Sequence, residues 1–398
     1  MKHLQLKYNL LHIFYWAASC ALMGYVAVFL QYKGFTNTEI GIVTGGGCFA
    51  VMFLSPFISQ TVVSKGLSTR KLMTLFFLLS TCTFLLISFI NVPALIIMIL
   101  YILQWCLIVS SVPFLSMLCM DYIQAGEDLN FGLSRGLGSV SYAISAVVLG
   151  MLVKGINPNI LVIFFGVSAI IDLVLLYSLP VEKKKYIEKK EEEKQGNILT
   201  IITKYKIFFF LLLGFTFMFA ASTTLSTYLI NIVKRLGGDT SLYGVGIFLM
   251  ASSEMPVMAI APRLIKRYNS ILLIMVAAVF YILRNFLICL APALPVLFLG
   301  MLMQGFSYGL FTAVITYYVT YHLKKPDQMM GQTMIGIMSS GLGSMIGNVL
   351  GGVLQDQLGI TAMFIFACSI TVLGVVIIWM TGFTQKKDLF RSDRLRDL

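Results

Sequence analysis

Residues 182–206 read EKKKYIEKKEEEKQGNILTIITKYK, and residues 207–232, directly after them, read IFFFLLLGFTFMFAASTTLSTYLINI. The first stretch mixes lysine with glutamate and has little apolar content, which predicts a flexible linker in water. The second carries no charge. It is long enough to cross a hydrocarbon core about 30 Å thick at about 1.5 Å of rise per residue. On both sides of this junction the chain repeats the second pattern. Apolar runs at 10–32, 41–63, 72–90, 94–119, 136–153 and 160–180 precede the linker. Runs at 207–232, 242–262, 270–290, 294–320, 332–354 and 361–383 follow it. The fold class expected is therefore an all-α polytopic membrane protein, with twelve transmembrane helices in two six-helix bundles. The bundles take residues 1–181 and 207–398, the second with a short tail, and residues 182–206 form the linker.

Composition agrees. A soluble chain of 398 residues cannot hide a hydrophobic content of 58% with only 12% charge, so lipid must be the solvent for most of it. The net charge of +12 does not point to nucleic acid, because the cations sit in short segments between apolar runs. With the N-terminus inside, cytoplasmic segments hold 24 of the 29 lysines and arginines, and outer loops hold only Lys33, Lys154, Lys234 and Arg235. That bias places both termini in the cytoplasm of a bacterial inner membrane protein. Cys20, Cys48, Cys82, Cys106, Cys119, Cys289 and Cys368 all lie inside apolar runs, where they read as packing residues rather than as a disulfide framework. Three histidines make a His-rich metal site unexpected. The first apolar run is too long for a cleavable signal and lacks a small-residue cleavage site.

The halves echo each other. Gly136-Leu137-Gly138-Ser139 opens span five, and Gly341-Leu342-Gly343-Ser344 lies in span eleven. Spans two and eight each follow turn residues able to cap a helix, Thr36 with Glu39 and Asp239 with Thr240. Each also ends near a proline, Pro56 and Pro262, before a basic loop. Six spans per half give a parallel repeat about the membrane normal, a layout that places a solute site between halves near the midplane.

Ionisable groups inside spans are costly and mark function by default. Glu254, in Ser253-Glu254-Met255-Pro256, stands halfway along span eight, where low dielectric favours a protonated carboxyl and nearby cations tune its charge. That suits a proton-coupling site; the structural alternative is a fixed ion pair. Arg284, in the middle of span nine, cannot shed its charge and needs a carboxylate or an aqueous cavity, with Glu254 as the partner expected. Arg135 stands at the cytoplasmic start of span five, and Tyr142 follows two turns later on the same side. A guanidinium fork with a nearby ring suits a hydroxyl-rich or heteroaromatic solute; the plain alternative is a membrane anchor. Asp172, inside span six, marks a solvated gate, pairs with a cation, or lies nearer the interface. Tyr228 on span seven, with Gln304 and Tyr308 on span ten, belongs to polar faces that line a cavity or bond neighbouring helices.

The chain resembles the major facilitator superfamily, in the branch that holds lactose permease, the bacterial nucleoside:proton symporters and the phenylpropionate-type transporters. The residues that carry the resemblance are Phe131-Gly132-Leu133-Ser134-Arg135-Gly136-Leu137-Gly138-Ser139, Ser253-Glu254-Met255-Pro256, and Arg284 followed by Gln304-Gly305-Phe306-Ser307-Tyr308-Gly309. In lactose permease the helix-five arginine grips the sugar and an aromatic two turns on stacks against it, which implies those roles for Arg135 and Tyr142. The helix-nine arginine near the proton site falls on Arg284. The nucleoside symporters add a helix-eight glutamate, here Glu254. The helix-four carboxylate of lactose permease falls on Met117, and its helix-ten histidine and glutamate fall on Gln304 and Ser307. Lactose-type recognition is thus not expected, and the proton carrier moves to Glu254. In the loop after helix two, the family's glycine and aspartate read Ser59 and Val63. Only the cationic end, Lys65, Arg70 and Lys71, persists as a gating element.

The function expected is proton-coupled uptake of a small polar solute, a nucleoside or a short oligosaccharide, by alternating access. Proton-driven efflux of amphipathic compounds is the alternative. A non-transporting sensor would carry a sizeable soluble domain, for which the loops leave no room. No nucleophile with a base and no metal-ligand constellation point to an enzyme. The partners expected are the solute and the lipid bilayer, with no nucleic acid, no obligate protein partner, and no cofactor beyond the coupling proton.

Overall fold

The computed structural model describes residues 3–64, 67–90, 92–180 and 198–396. Lys65 and residues 182–197 of the linker lie outside them. The described residues are helical, with no strand. Eleven helices are long and apolar enough to cross a membrane: Asn37–Thr61, Thr69–Phe89, Ala94–Gln124, Phe131–Gly155, Ile160–Ser178, Lys206–Thr227, Thr240–Arg267, Ser270–Cys289, Leu294–His322, Lys325–Leu358 and Ile360–Thr384. The pair Leu4–Gly24 and Val26–Tyr32, bent by 50°, makes a twelfth. In chain order these are spans one to twelve.

Side chains that satisfy orphan amides set the helix starts. Thr36 and Glu39 form the expected reciprocal box before span two, Thr36 N donating to Glu39 Oε2 at 2.8 Å and Glu39 N to Thr36 Oγ1 at 3.2 Å. Asp239 Oδ1 accepts from Ser241 N and Leu242 N ahead of span eight. Asn130 accepts from Leu133 N and starts span five at Phe131, not at 136. Arg135 therefore stands a full turn inside the helix rather than at its mouth. Span one breaks at Tyr25 (φ −111°, ψ 15°) after a π-helical turn, Cys20–Gly24. Spans ten and eleven carry π turns of their own at Gly305–Gly309 and Ile337–Gly343. Such turns re-aim side chains and are frequent at functional positions.

The described residues pack as two compact units, one from 1–188 with 227–252 and the other from 189–226 with 253–398. This division by packing and the sequence division at the linker differ over 227–252. In the first unit, tyrosine hydroxyls tie span one to span four: Tyr8 donates to the Leu115 carbonyl at 2.7 Å, Tyr15 to Ile108 at 2.6 Å, and Leu22 accepts from Tyr101 at 2.7 Å. Residues 227–252 join this unit by backbone-to-backbone approach. A Cβ at Gly244 would stand 2.3 Å from the Ala146 carbonyl oxygen. Tyr243 donates to the Gly24 carbonyl, and Lys154 pairs with Asp239 at 2.7 Å. The second unit has an aromatic core in which Phe215 and Phe311 stack at 3.9 Å. There Thr224 Oγ1 donates to the Gly347 carbonyl at 2.6 Å, joining spans seven and eleven.

Candidate functional site

In the first unit, the extra turn at the start of span five carries Arg135 in beside span one. Its guanidinium lies over the Trp16 ring, 4.2 Å from carbon to centroid, a cation–π contact. Arg135 Nη1 also donates to Ser139 Oγ at 2.8 Å, one turn along the same helix. Span five can approach Trp16 because Gly138 has no side chain: a Cβ there would lie 2.2 Å from Trp16 Cδ1. Tyr142 meets the same indole edge-on, with centroids 6.4 Å apart. Trp16 Nε1 is buried with no hydrogen-bond partner among the described residues. The structure thus brings Arg135 and Tyr142 onto one aromatic platform, and that platform is Trp16, which the sequence reading missed. A tryptophan on an apolar helix carries no mark of its partners; the small residue at Gly138, seven before Ser145 on the packed face, was the available signal.

In the second unit, Ser253 and Glu254 lie against the π turn of span ten. Gln304 Nε2 donates to Glu254 Oε1 at 3.1 Å, and Gly305 N donates to Ser253 Oγ at 3.1 Å. Gly309 completes the seat, its missing Cβ 3.6 Å from Glu254 Cα. Glu254 is half-buried, whereas Arg284 on span nine is fully buried. Arg284 Nη1 donates to Asn285 Oδ1 at 2.8 Å and Nη2 to Ser226 Oγ at 3.2 Å. Asn285 in turn donates to Thr371 Oγ1 at 2.8 Å and accepts from Ser222 at 3.3 Å. Neutral oxygens therefore cradle the guanidinium, and Glu254 lies within its electrostatic reach. Asn285 is the second residue that sequence reading did not select. Tyr308 is half-buried, with its ring 5.5 Å from Phe219.

The remaining sequence-selected residues sit elsewhere. Tyr228 is fully buried in the first unit and donates to the Asn37 carbonyl at 2.9 Å. There it adjoins an amide cluster in which Gln31 donates to Asn231 at 2.7 Å and Asn231 to Asn37 at 2.9 Å. Arg70 Nη2 donates to the Pro180 carbonyl at 2.6 Å, tying span three to the end of span six, and Lys71 is exposed one residue on. Asp172 pairs with no described cation; its side chain is fully buried. No group of three or more histidine, cysteine or acidic residues able to hold a metal ion occurs among the described residues.

Comparison with known proteins places this architecture. The model of the MFS_1 like family matches residues 5–366. An uncharacterized transporter, YwbF of Bacillus subtilis, is 22% identical over 67% of this chain and 65% of its own length. Maltose permease of Geobacillus stearothermophilus is 22% identical over 65% of this chain and 64% of its own. The matches thus span just under two thirds of either curated relative. The crystal structure of the nucleoside transporter NupG superimposes with a TM-score of 0.77 at 16% identity, over 96% of this chain and 98% of that one. Apolar helices long enough to span a membrane, glycine-seated polar residues inside them, and a family match over nearly the whole length lead to one conclusion: the chain belongs to the MFS_1-like family of major facilitator transporters.

Proposed function

We propose that the chain is a proton-coupled uptake carrier for a small polar solute, a nucleoside or a short oligosaccharide, working by alternating access in a bacterial inner membrane with both termini in the cytoplasm. The observation that carries this reading is the Glu254 carboxyl. It lies inside a span, bonded to the Gln304 amide at 3.1 Å and in reach of a buried guanidinium. A carboxyl so placed changes charge when its hydration or its neighbours change, which is what coupling to a proton requires. Arg284 tunes that charge. The guanidinium donates to the Asn285 and Ser226 oxygens, so its charge does not rest on the acid alone.

Arg135, Trp16 and Tyr142 of the first unit are the groups proposed to meet the solute. A planar fork stacked on an indole, with a second ring at its edge, fits the hydroxyls of a sugar and the face of a base. Gln304 and Tyr308 are proposed as further solute contacts, and Arg70 and Lys71 as gate elements. The similarity to a nucleoside transporter and a maltose permease supports the same solute class. Coupling follows if the empty, deprotonated carrier reorients slowly and the loaded, protonated one quickly.

The test is uptake into proteoliposomes of a panel of nucleosides and short sugars, with and without an inward proton gradient. A panel member should accumulate only with the gradient, and Glu254→Gln should abolish accumulation while leaving exchange. Full gradient-driven accumulation by Glu254→Gln would reject the assignment of the acid.

A further inference from the structure

Asp172 takes no part in the sites above, yet it is an acid wholly buried in the first unit. It stands on span six, on the face that also buries Phe165, Ser168, Ala169 and Leu176, and this face packs against spans one and three. The side chain has no solvent exposure, and neither carboxyl oxygen has a hydrogen-bond partner among the described residues. A carboxylate in such surroundings would be a buried, unpaired charge costing several kcal/mol, whereas the neutral acid costs far less.

The neighbouring cations are engaged away from it. Lys7 Nζ donates to the Ser178 carbonyl at 2.8 Å and Arg70 to Pro180 at 2.6 Å. Both acceptors lie past Asp172 in sequence, beginning about 9 Å further along the helix. Arg135 of span five is held by Ser139 and the Trp16 ring. The other titratable groups turned inward are Tyr8, His12 and Tyr15 of span one and Cys20 of its π turn; span three turns none inward among its described residues. Of these, Tyr15 lies in electrostatic reach of Asp172, and its hydroxyl is spent on the Ile108 carbonyl.

We propose that Asp172 is a second proton-binding site of the carrier, held in the first unit and separate from Glu254, and that it exchanges its proton only when spans one, three and six part enough to admit water. The acid is loaded in the conformation described here. Its unloading belongs to another conformation of the cycle.

The test needs no solute, so its outcome is separable from that of the uptake reading. Infrared spectra of the full-length protein in lipid vesicles at neutral pH should show the carbonyl stretch of a protonated carboxyl that is lost in Asp172→Asn. On transfer to D2O this stretch should shift, and more slowly than the exposed amides exchange. A spectrum with no such stretch, or one unchanged in Asp172→Asn, overturns the proposal. So does a stretch that never shifts in D2O, which would make the acid a permanent structural one. If Asp172→Asn does not fold, wild-type protein labelled with carbon-13 aspartate decides instead. The stretch must move with the label, and one that stays in place belongs to a glutamate and overturns the assignment.

Discussion

Replacing Gly305 with alanine would put a methyl carbon 2.1 Å from the Ser253 carbonyl oxygen and 2.7 Å from its carbon. Cβ atoms essentially never approach a neighbour closer than 3.0 Å, so spans eight and ten must part by about 0.9 Å at this point. Backbone on both sides leaves no side chain free to swing away. Gln304 precedes Gly305 and Glu254 follows Ser253, so the parting falls on the amide–carboxyl bond, which lengthens from 3.1 Å to about 4 Å and is lost. The Gly305 N to Ser253 Oγ bond goes with it. Overpacking costs about 1–3 kcal/mol and each of the two lost bonds about 0.5–1.5 kcal/mol, for a total of about 2–6 kcal/mol. Gly336→Ala is the control: no atom lies within 4 Å of its missing Cβ, and alanine in a helix gains up to about 1 kcal/mol over glycine. Thermal unfolding is followed with a thiol-reactive dye, since Cys20, Cys106, Cys119 and Cys289 are buried until the helices separate. Gly305→Ala should melt well below wild type and lose gradient-driven uptake, while Gly336→Ala melts at or above it. Equal melting of the two variants would refute the seat that span ten is argued to provide for Glu254.

Three further outcomes are expected. Arg135→Lys removes the planar cation from the Trp16 face, a contact worth about 0.5–2 kcal/mol, so initial uptake should fall about two- to thirtyfold; unchanged uptake would take Arg135 out of the solute site. Asn285→Leu strips one acceptor from a fully buried guanidinium and should destabilise the protein by about 1–3 kcal/mol in the same melting assay. A wild-type melting temperature would show that the cradle does not hold Arg284. The bond from Lys154, with the Leu242 amide, holds the Asp239 carboxyl below its ordinary value. Its stabilisation is therefore present above an unfolded value of about 3.9 and lost as pH falls through the lower folded one. The pair is exposed, which limits it to about 1 kcal/mol and makes it salt-sensitive. Lys154→Gln should flatten the acid limb of the stability curve slightly, and an unaltered limb would show that the pair contributes nothing.

Much of the site was legible because chemistry that is expensive in lipid is conspicuous in sequence. Glu254, Arg284 and Asp172 stand out as charges in apolar runs, and the Thr36–Glu39 box announces itself by spacing. Arg135 was legible as a residue but placed at the mouth of span five rather than a full turn inside it. Asn130 caps the helix five residues earlier, and a cap works through geometry that hydropathy does not register. The break at Tyr25 was hidden for a related reason. The apolar run continues through it, and lipid tolerates a bend where the neighbouring helix re-satisfies the backbone.

The sequence by itself determined the membrane, the number of crossings and which side chains are too polar to be there by accident. These follow from transfer free energies, which add along the chain and need no knowledge of neighbours. Only the tertiary structure decided that Trp16 stacks on Arg135, that Ser226 of span seven accepts from Nη2 of Arg284, and that Asp172 faces no described donor. Those are contacts between helices far apart in sequence. They are set by whether a glycine or a side chain stands at the crossing, and inside a membrane close packing is what selects them.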